Sequence, residues 1–270
     1  MAERYPERIV CLTEETTETL YLLGEERRIV GISGYTVRPP QARREKPRVS
    51  AFLSARIDKI AALKPDLVIG FSDLQADIAR DLAKAGLNVV IFNQRSVEEI
   101  LNTIGMVASL VGASEKGGLL VARLEAHLAS IRESARLFPR KPRVYFEEWD
   151  EPMISGIRWV SELIEVAGGE DVFPELSVSH AAAGRVIKDP ELVIQRKPDV
   201  ILGSWCGKKF RPERVAARPG WQEIPAVRAN ELHEIKSADI LQPGPAALTD
   251  GVRRIHDILR ESLRRGSRRH

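Results

Sequence analysis

The chain has 270 residues, of which 43% are hydrophobic and 29% are charged, and its formal net charge is +3. This composition is typical of a globular protein, and the length suits one large domain or two domains of about 130 residues. The small net charge gives no basis for a nucleic-acid-binding face, and no apolar run approaches the roughly 20 residues of a membrane-spanning helix.

Residues 1–8 lead directly into a strand and lack the basic and apolar regions of an export signal. As written, the sequence therefore predicts a cytoplasmic protein, or a periplasmic or other extracytoplasmic one if a signal has been removed. The first third of the chain then predicts alternating strands and helices, the order of a doubly wound α/β lobe. The predicted strands cover residues 9–12, 29–33, 67–69 and 89–92.

One helix-turn-strand segment occurs twice, roughly half the chain apart. Residues 58–71 and 191–205 each place a carboxylate seven residues before a proline, and Lys-Pro-Asp then opens a three-residue apolar run that a glycine closes. Each helix must end before its proline, and each apolar run has the composition of a strand buried on both faces. Two copies predict two similar lobes.

Two helices are predicted in the middle of the chain, from Ser96 to about Gly112 and from Ser114 to about Pro139. The second is on the order of 30 Å long and is interpreted as a rigid connection between lobes. The predicted organisation is an N-terminal α/β lobe at 1–95, a helical region at 96–140 and a C-terminal α/β lobe at 141–270.

The C-terminal lobe is predicted to contain strands at 143–146, 200–202 and 232–235 and a last helix at 246–263. The arginine-rich tail at 264–270 supplies more than the whole net charge. We interpret it as a solvated, frayed terminus rather than a nucleic-acid or membrane contact. Cys11 and Cys206 lack CxxC spacing and are expected to be core thiols, although sequence alone does not decide whether they pair.

No enzyme motif is present: the sequence has no GxxxxGK[ST], GxGxxG, HExxH or GxSxG. The five histidines have no mutual metal-ligand spacing. We expect no catalytic residue, no metal site and no catalytic cofactor.

Aromatic residues recur at or just after predicted strand ends, where open α/β sheets bind ligands. Such side chains offer large, rigid apolar contacts. For any single aromatic a core position is the more ordinary interpretation, but six together predict a cleft for a bulky, partly apolar ligand. The aromatic candidates are Tyr35, Phe52, Phe71, Trp149, Trp159 and Trp205, with Asp239 and His180 as polar candidates. Trp221 is expected in the core.

Asp58 and Glu191 occupy the same position in the two repeats. Each is either an ordinary solvated helix residue or one of a symmetric pair that meets cationic side chains of a two-fold partner.

The sequence resembles the cobalamin-binding substrate-binding proteins of ABC importers, the vitamin B12 branch of a group that also binds ferric siderophores and haem. The resemblance runs from about residue 7 to 262. The motifs that carry it are 12–19, Tyr35 ahead of 39–42, 60–69, 155–170 and 243–245.

The resemblance implies two α/β lobes joined by one long helix, with a corrinoid held between the lobes by aromatics at the positions of Tyr35, Phe52 and Phe71. It also implies docking to a permease dimer through Asp58 and Glu191. Asp58 is shorter than the family's usual glutamate, which weakens the docking inference.

A tryptophan that some members carry is replaced here by Arg185, which therefore joins the ligand-binding candidates. His180 on the same loop could approach the corrinoid's cobalt. We expect a monomeric, non-catalytic corrinoid-binding protein, either of an uptake system or a soluble carrier.

A ferric siderophore or haem is the alternative ligand. Arg158 and Arg185 keep it open, because guanidinium groups suit anionic chelating groups. A corrinoid-salvage or other cleft enzyme is the alternative of another class, and it would need Glu148 or Asp150 as an acid with a raised pKa.

Overall fold

The computed structural model describes residues 5–267, which form two compact α/β units. The first unit contains the residues up to 94 together with 98–125 and 242–246. The second contains 95–97, 126–241 and the residues from 247 onward. One boundary, between Glu125 and Ala126, falls inside a helix of 22 residues, Ser114–Ala135.

The first unit is built on a parallel sheet in the order β3-β2-β1-β4-β5. Its strands are β1 (Ile9–Cys11), β2 (Ile29–Ser33), β3 (Arg48–Ser50), β4 (Leu67–Phe71) and β5 (Val89–Phe92). The helices in this part of the chain are α1 (Glu14–Leu22), α2 (Ala42–Glu45), α3 (Ile57–Ala62), α4 (Ala76–Lys84), α5 (Val97–Leu110) and α6 (Ser114–Ala135).

Two apolar clusters cover the two faces of this sheet. Ile9 and Cys11 pack in one cluster, whereas the alternate residues Val10 and Leu12 pack in the other. β4 is likewise buried along its whole length. This period-two division confirms the predicted sheet with both faces covered.

The second unit has a mainly parallel sheet in the order β10-β9-β6-β7, with β8 beside β6 and only β7 antiparallel among the described pairings. Its strands are β6 (Arg143–Asp150), β7 (Met153–Ser155), β8 (Glu170–Asp171), β9 (Val200–Gly203) and β10 (Leu232–Glu234). Its helices are α7 (Arg158–Val166), α8 (Pro174–Ser177), α9 (Glu191–Arg196), α10 (Pro212–Ala216), α11 (Pro225–Ala229), α12 (Ser237–Ile240) and α13 (Val252–Ser267). The predicted α/β class is confirmed.

The C-terminal helix differs from its prediction. A π-helix at Ala247–Gly251 precedes α13, which continues to Ser267. Arg265 donates to the Glu231 carboxylate at 2.7 and 2.8 Å, so this part of the predicted frayed tail is helical and held. Arg268, Arg269 and His270 lie outside the described residues.

The repeated segment folds as predicted in both copies, as α3 followed by β4 and as α9 followed by β9. Lys64 and Lys197, each just before the proline, share the left-handed backbone with φ of 48° and 46°. The Asp66 carboxylate accepts the amide hydrogen of Arg8 at 3.0 Å, and Asp199 accepts that of Arg143 at 2.8 Å. The aspartate of Lys-Pro-Asp therefore fixes the start of the neighbouring strand in each unit.

Candidate functional site

The first unit has its candidate site at the carboxyl edge of the sheet. The strand order reverses between β1 and β4, and open α/β sheets bind ligands at such a switch point. α1 follows β1 at this edge, and the loops after β2, β3 and β4 leave from it.

Large apolar side chains are exposed in these loops. Tyr35 after β2 is 59% exposed, Leu53 after β3 is 68% exposed and Leu74 after β4 is 61% exposed. Val37 is exposed as well, and Phe52 is half-buried. Because water-exposed apolar groups of this size are costly, their concentration at one edge indicates a binding surface.

Sequence reasoning found Tyr35 and Phe52 but missed Val37, Leu53 and Leu74. A signal was present, because each of the three is an apolar residue three or four residues after the end of a strand; Leu74 lies there in a single 3₁₀ turn, Asp73–Gln75.

The buried side chain of Gln75 joins two of these loops. Its Oε1 accepts the amide hydrogen of Phe71 at 3.1 Å, and its Nε2 donates to the Phe52 carbonyl at 2.9 Å. Phe71, predicted to bind ligand, is itself buried at the end of β4. In this structure Phe71 is therefore part of the core beneath the carboxyl edge.

Three glutamates in the first turns of α1 are buried beside this edge. Glu14 accepts the amide hydrogen of Arg38 at 2.9 Å, and Glu18 accepts from Arg38 Nε at 3.0 Å and from the Ala246 amide at 3.1 Å. Arg38 thus ties the loop that carries Tyr35 to α1.

Burial raises the pKa of two of these carboxyl groups. The pKa of Glu14 is raised to about 8, and that of Glu15 to about 7 despite a hydrogen bond from Thr13. At neutral pH the cluster therefore binds protons that exposed glutamates would release.

The second unit carries acidic residues in ion pairs at the end of β6. Glu147 is level with Gly203, the last residue of β9, so β6 continues three residues beyond its neighbour. The Glu147 carboxylate accepts two hydrogen bonds from Arg218, at 2.6 and 2.9 Å. Glu148 accepts two from Arg185, at 2.5 and 3.1 Å.

Asp150 completes the series by pairing with the Lys208 ammonium. Glu148 and Asp150 are thus both engaged by basic side chains.

The predicted ligand-binding tryptophans differ in exposure. Trp159 donates its indole hydrogen to the Ile240 carbonyl at 2.9 Å, Trp205 donates to Glu147 at 3.1 Å, and both are buried. Trp149 is half-buried and has the Lys208 ammonium over its ring. Of the three, Trp149 is therefore the one with accessible surface.

The remaining candidates also lie in the second unit. His180 is exposed, whereas Arg185 is buried and also donates to the Ser155 carbonyl at 2.6 Å. Asp239 lines a surface cavity of about 340 Å³ together with charged residues that include Lys236 and Arg253. Trp221 is fully buried, as predicted.

Asp58 and Glu191 are both exposed, in the first turns of α3 and α9. The two side chains thus hold equivalent, accessible places in the two units.

Both cysteines are free thiols. Cys11 is buried, and burial raises its pKa to about 12. Cys206 is exposed, which corrects the expectation of a core thiol, because it lies in the turn that follows β9 and not in the strand itself.

Within residues 5–267, no three histidine, cysteine or acidic side chains converge as a metal site would require. Within the same residues, no helix has the length and apolar character of a membrane span.

Known proteins resemble this chain along most of its length. A family model described as periplasmic binding protein matches residues 9–238. An ABC transporter substrate-binding lipoprotein of Bacillus subtilis (strain 168) is 26% identical, over 95% of this chain and 81% of that protein. A vitamin B12-binding protein of Vibrio parahaemolyticus is 27% identical, over 92% of this chain and 88% of its own length.

A solved structure, the periplasmic haem-binding protein from Roseiflexus sp. RS-1 in its apo form, has a TM-score of 0.77 and 27% identity. The match covers 94% of this chain and 99% of that one.

Proposed function

This chain belongs to the periplasmic binding protein family, and we propose that it is the substrate-binding component of an ABC-type uptake system. On this proposal it is a non-catalytic protein that works outside the cytoplasm. The relatives named as a lipoprotein and as a periplasmic haem-binding protein support this location. The proposed location outside the cytoplasm replaces the cytoplasmic location predicted from the sequence.

The proposed ligand is a cobalamin-type corrinoid. The observation that carries this proposal is the set of exposed apolar side chains at the carboxyl edge of the first unit, above all Tyr35, Leu53 and Leu74. A corrin is a broad macrocycle with a partly apolar face, and burying it against these side chains would remove apolar surface of both from water. The relative named as a vitamin B12-binding protein supports the same choice.

In the second unit we propose Trp149 and His180 as ligand contacts, because both retain accessible surface. The buried Phe71, Trp159 and Trp205 would support the carboxyl edges of the two sheets from inside the core of each unit. The imidazole of His180 could ligate cobalt, and a change in the corrin visible spectrum that His180→Ala abolishes would establish this.

Haem is the second candidate ligand. It shares the flat apolar macrocycle, and the solved haem-binding structure is 27% identical to this chain. Basic residues outnumber acidic ones by five to one between 208 and 218, which suits the carboxylates of haem or of a ferric siderophore.

We further propose that Asp58 and Glu191 dock the protein on its permease. Exposed carboxylates add little to folding stability, but they can orient a partner that carries arginines. Replacing both with asparagine and glutamine should slow transport in reconstituted vesicles and leave ligand affinity unchanged.

The ligand is tested by calorimetric titration with cyanocobalamin and, separately, haemin. Binding of one cyanocobalamin with a dissociation constant of about 1 μM or lower is expected. Leu74→Ser should weaken it about 10-fold, because that side chain would no longer bury its apolar surface.

Leu119→Ser is the matched control, since Leu119 is 69% exposed and belongs to α6, not to the loops that follow the strands. Binding of haemin alone would replace the corrinoid with the second candidate. Equal losses of cyanocobalamin affinity in Leu74→Ser and Leu119→Ser would show that the carboxyl edge is not the binding site.

A further inference from the structure

The loop after β9 in the second unit holds a lysine over two aromatic rings. The Lys208 ammonium lies 4.0 Å from the centroid of the Trp149 ring and 5.1 Å from that of Trp205, within the range of cation–π attraction. It also pairs with the Asp150 carboxylate. An ammonium has three N–H donors, so this arrangement leaves donors for a further acceptor.

The loop is held in place by its neighbour Phe210. A Cβ added to Gly203 would lie 1.9 Å from Cδ2 of Phe210, so the ring sits directly on the backbone of β9. The Phe210 amide donates to Glu234 at 3.0 Å, and its ring meets Trp205 edge-on at 5.0 Å. Lys208 is therefore positioned before any ligand arrives, which lowers the entropic cost of using it.

Asp150 makes displacement of Lys208 costly. Its side chain is only 5% exposed, and its other basic neighbour, Arg214, is 3.9 Å away. A neutral ring that stacked directly on Trp149 would displace the Lys208 ammonium. The shielded Asp150 carboxylate would then have no positive charge closer than that of Arg214. An anionic group would instead leave the pair intact and accept a charge-assisted hydrogen bond.

We propose that Lys208, held over Trp149 by Asp150, is an anion subsite that selects ligands carrying a carboxylate or phosphate group. The inference deepens the proposed function and rests on it for the identity of the rest of the ligand. Lys208 is then the residue that determines specificity at the second unit's edge.

Tryptophan quenching tests the subsite without any assumption about the ligand. Trp149 is partly exposed, whereas Trp159, Trp205 and Trp221 are at most 3% exposed, so collisional quenchers report mainly on Trp149. Relative to its quenching of free N-acetyltryptophanamide, iodide should quench the protein more efficiently than caesium does. Lys208→Met should lower the iodide constant about 2-fold and raise the caesium constant, because it removes a positive charge at the ring.

Lys209→Met is the matched control: it removes the same charge from the next residue, which forms no ion pair within residues 5–267. It should change the iodide constant much less than Lys208→Met. Neutral acrylamide should quench all three proteins alike if they are equally folded. Equal iodide and caesium constants in the wild type, each taken relative to free N-acetyltryptophanamide, or equal effects of the two lysine variants, would overturn the subsite.

Dicyanocobinamide and dicyanocobinamide phosphate, which differ by one phosphate group, test the specificity. The wild type should bind the phosphate form about 10-fold more tightly, and Lys208→Met should remove this difference while Lys209→Met keeps it. Equal affinities in the wild type would refute the selectivity and leave corrinoid binding standing. If neither compound binds but iodide quenching follows Lys208, the corrinoid proposal fails and the anion subsite stands.

Discussion

Replacing Arg218 with methionine should strongly destabilise the second unit. The Glu147 carboxylate is fully buried and accepts hydrogen bonds from Arg218, the Tyr145 hydroxyl and the Trp205 indole. Removing one partner of a buried ion pair costs about 3–5 kcal/mol, because the remaining charge stays out of water. The Arg218 side chain is 19% exposed, so water can partly replace it, and we expect the lower end, about 3 kcal/mol.

The assay is urea unfolding followed by tryptophan fluorescence. All four tryptophans belong to the second unit, so the signal reports that unit alone. With a denaturant slope of about 2 kcal/mol per molar urea, the midpoint should fall by about 1.5 M. Adding Glu147→Gln should recover part of the loss, because a neutral amide costs less to bury than an unpaired carboxylate.

Arg136→Met, which breaks an exposed pair with Glu133, is the control and should leave the midpoint unchanged. A midpoint for Arg218→Met within about 0.3 M of the wild type would refute the reasoning, since it would mean that Glu147 does not depend on this charge.

Two further predictions concern the other unit and the loop after β9. Burial raises the pKa of Glu14 to about 8 and of Glu15 to about 7, above their unfolded values, so their contribution to stability is present at low pH and is lost as pH rises towards 8. Circular dichroism melts should show the wild type losing stability from pH 5 to 8.5 and Glu14→Gln with Glu15→Gln losing less; parallel pH profiles would contradict this. Gly203→Ala should force Phe210 off β9 and cost about 1–3 kcal/mol in the same fluorescence assay, and an unchanged midpoint would show that the ring moves freely.

Much of the fold could be predicted because local signals and tertiary packing agree. The prolines at 65 and 198 end helices in both repeats, and the apolar runs after them become the buried strands β4 and β9. β3, β7 and β8 were missed because they have three residues or fewer and polar residues interrupt each of them, so no apolar run marks them as one marks β1. The π-helix before α13 leaves no pattern distinct from that of an α-helix.

The candidate site was only partly predictable from sequence. The rule that ligands bind at the carboxyl ends of strands identified Tyr35 and Trp149, which have accessible surface. The same rule also selects Trp205, but the indole of that residue donates to the Glu147 carboxylate inside the unit. Lys208 was not predicted because its role depends on an ion pair with Asp150, which lies 58 residues earlier in the chain. Local residue spacing gives no signal of a contact at that sequence separation.

Hydrogen–deuterium exchange of the protein with and without cyanocobalamin tests the central claim most directly, namely that the ligand sits at the carboxyl edge of the first unit's sheet. The account predicts slower exchange at residues 34–37, 51–54 and 72–75, the loops that expose Tyr35, Leu53 and Leu74. Unchanged exchange in all three loops under saturating ligand, or protection confined to α5 and α6, would contradict it.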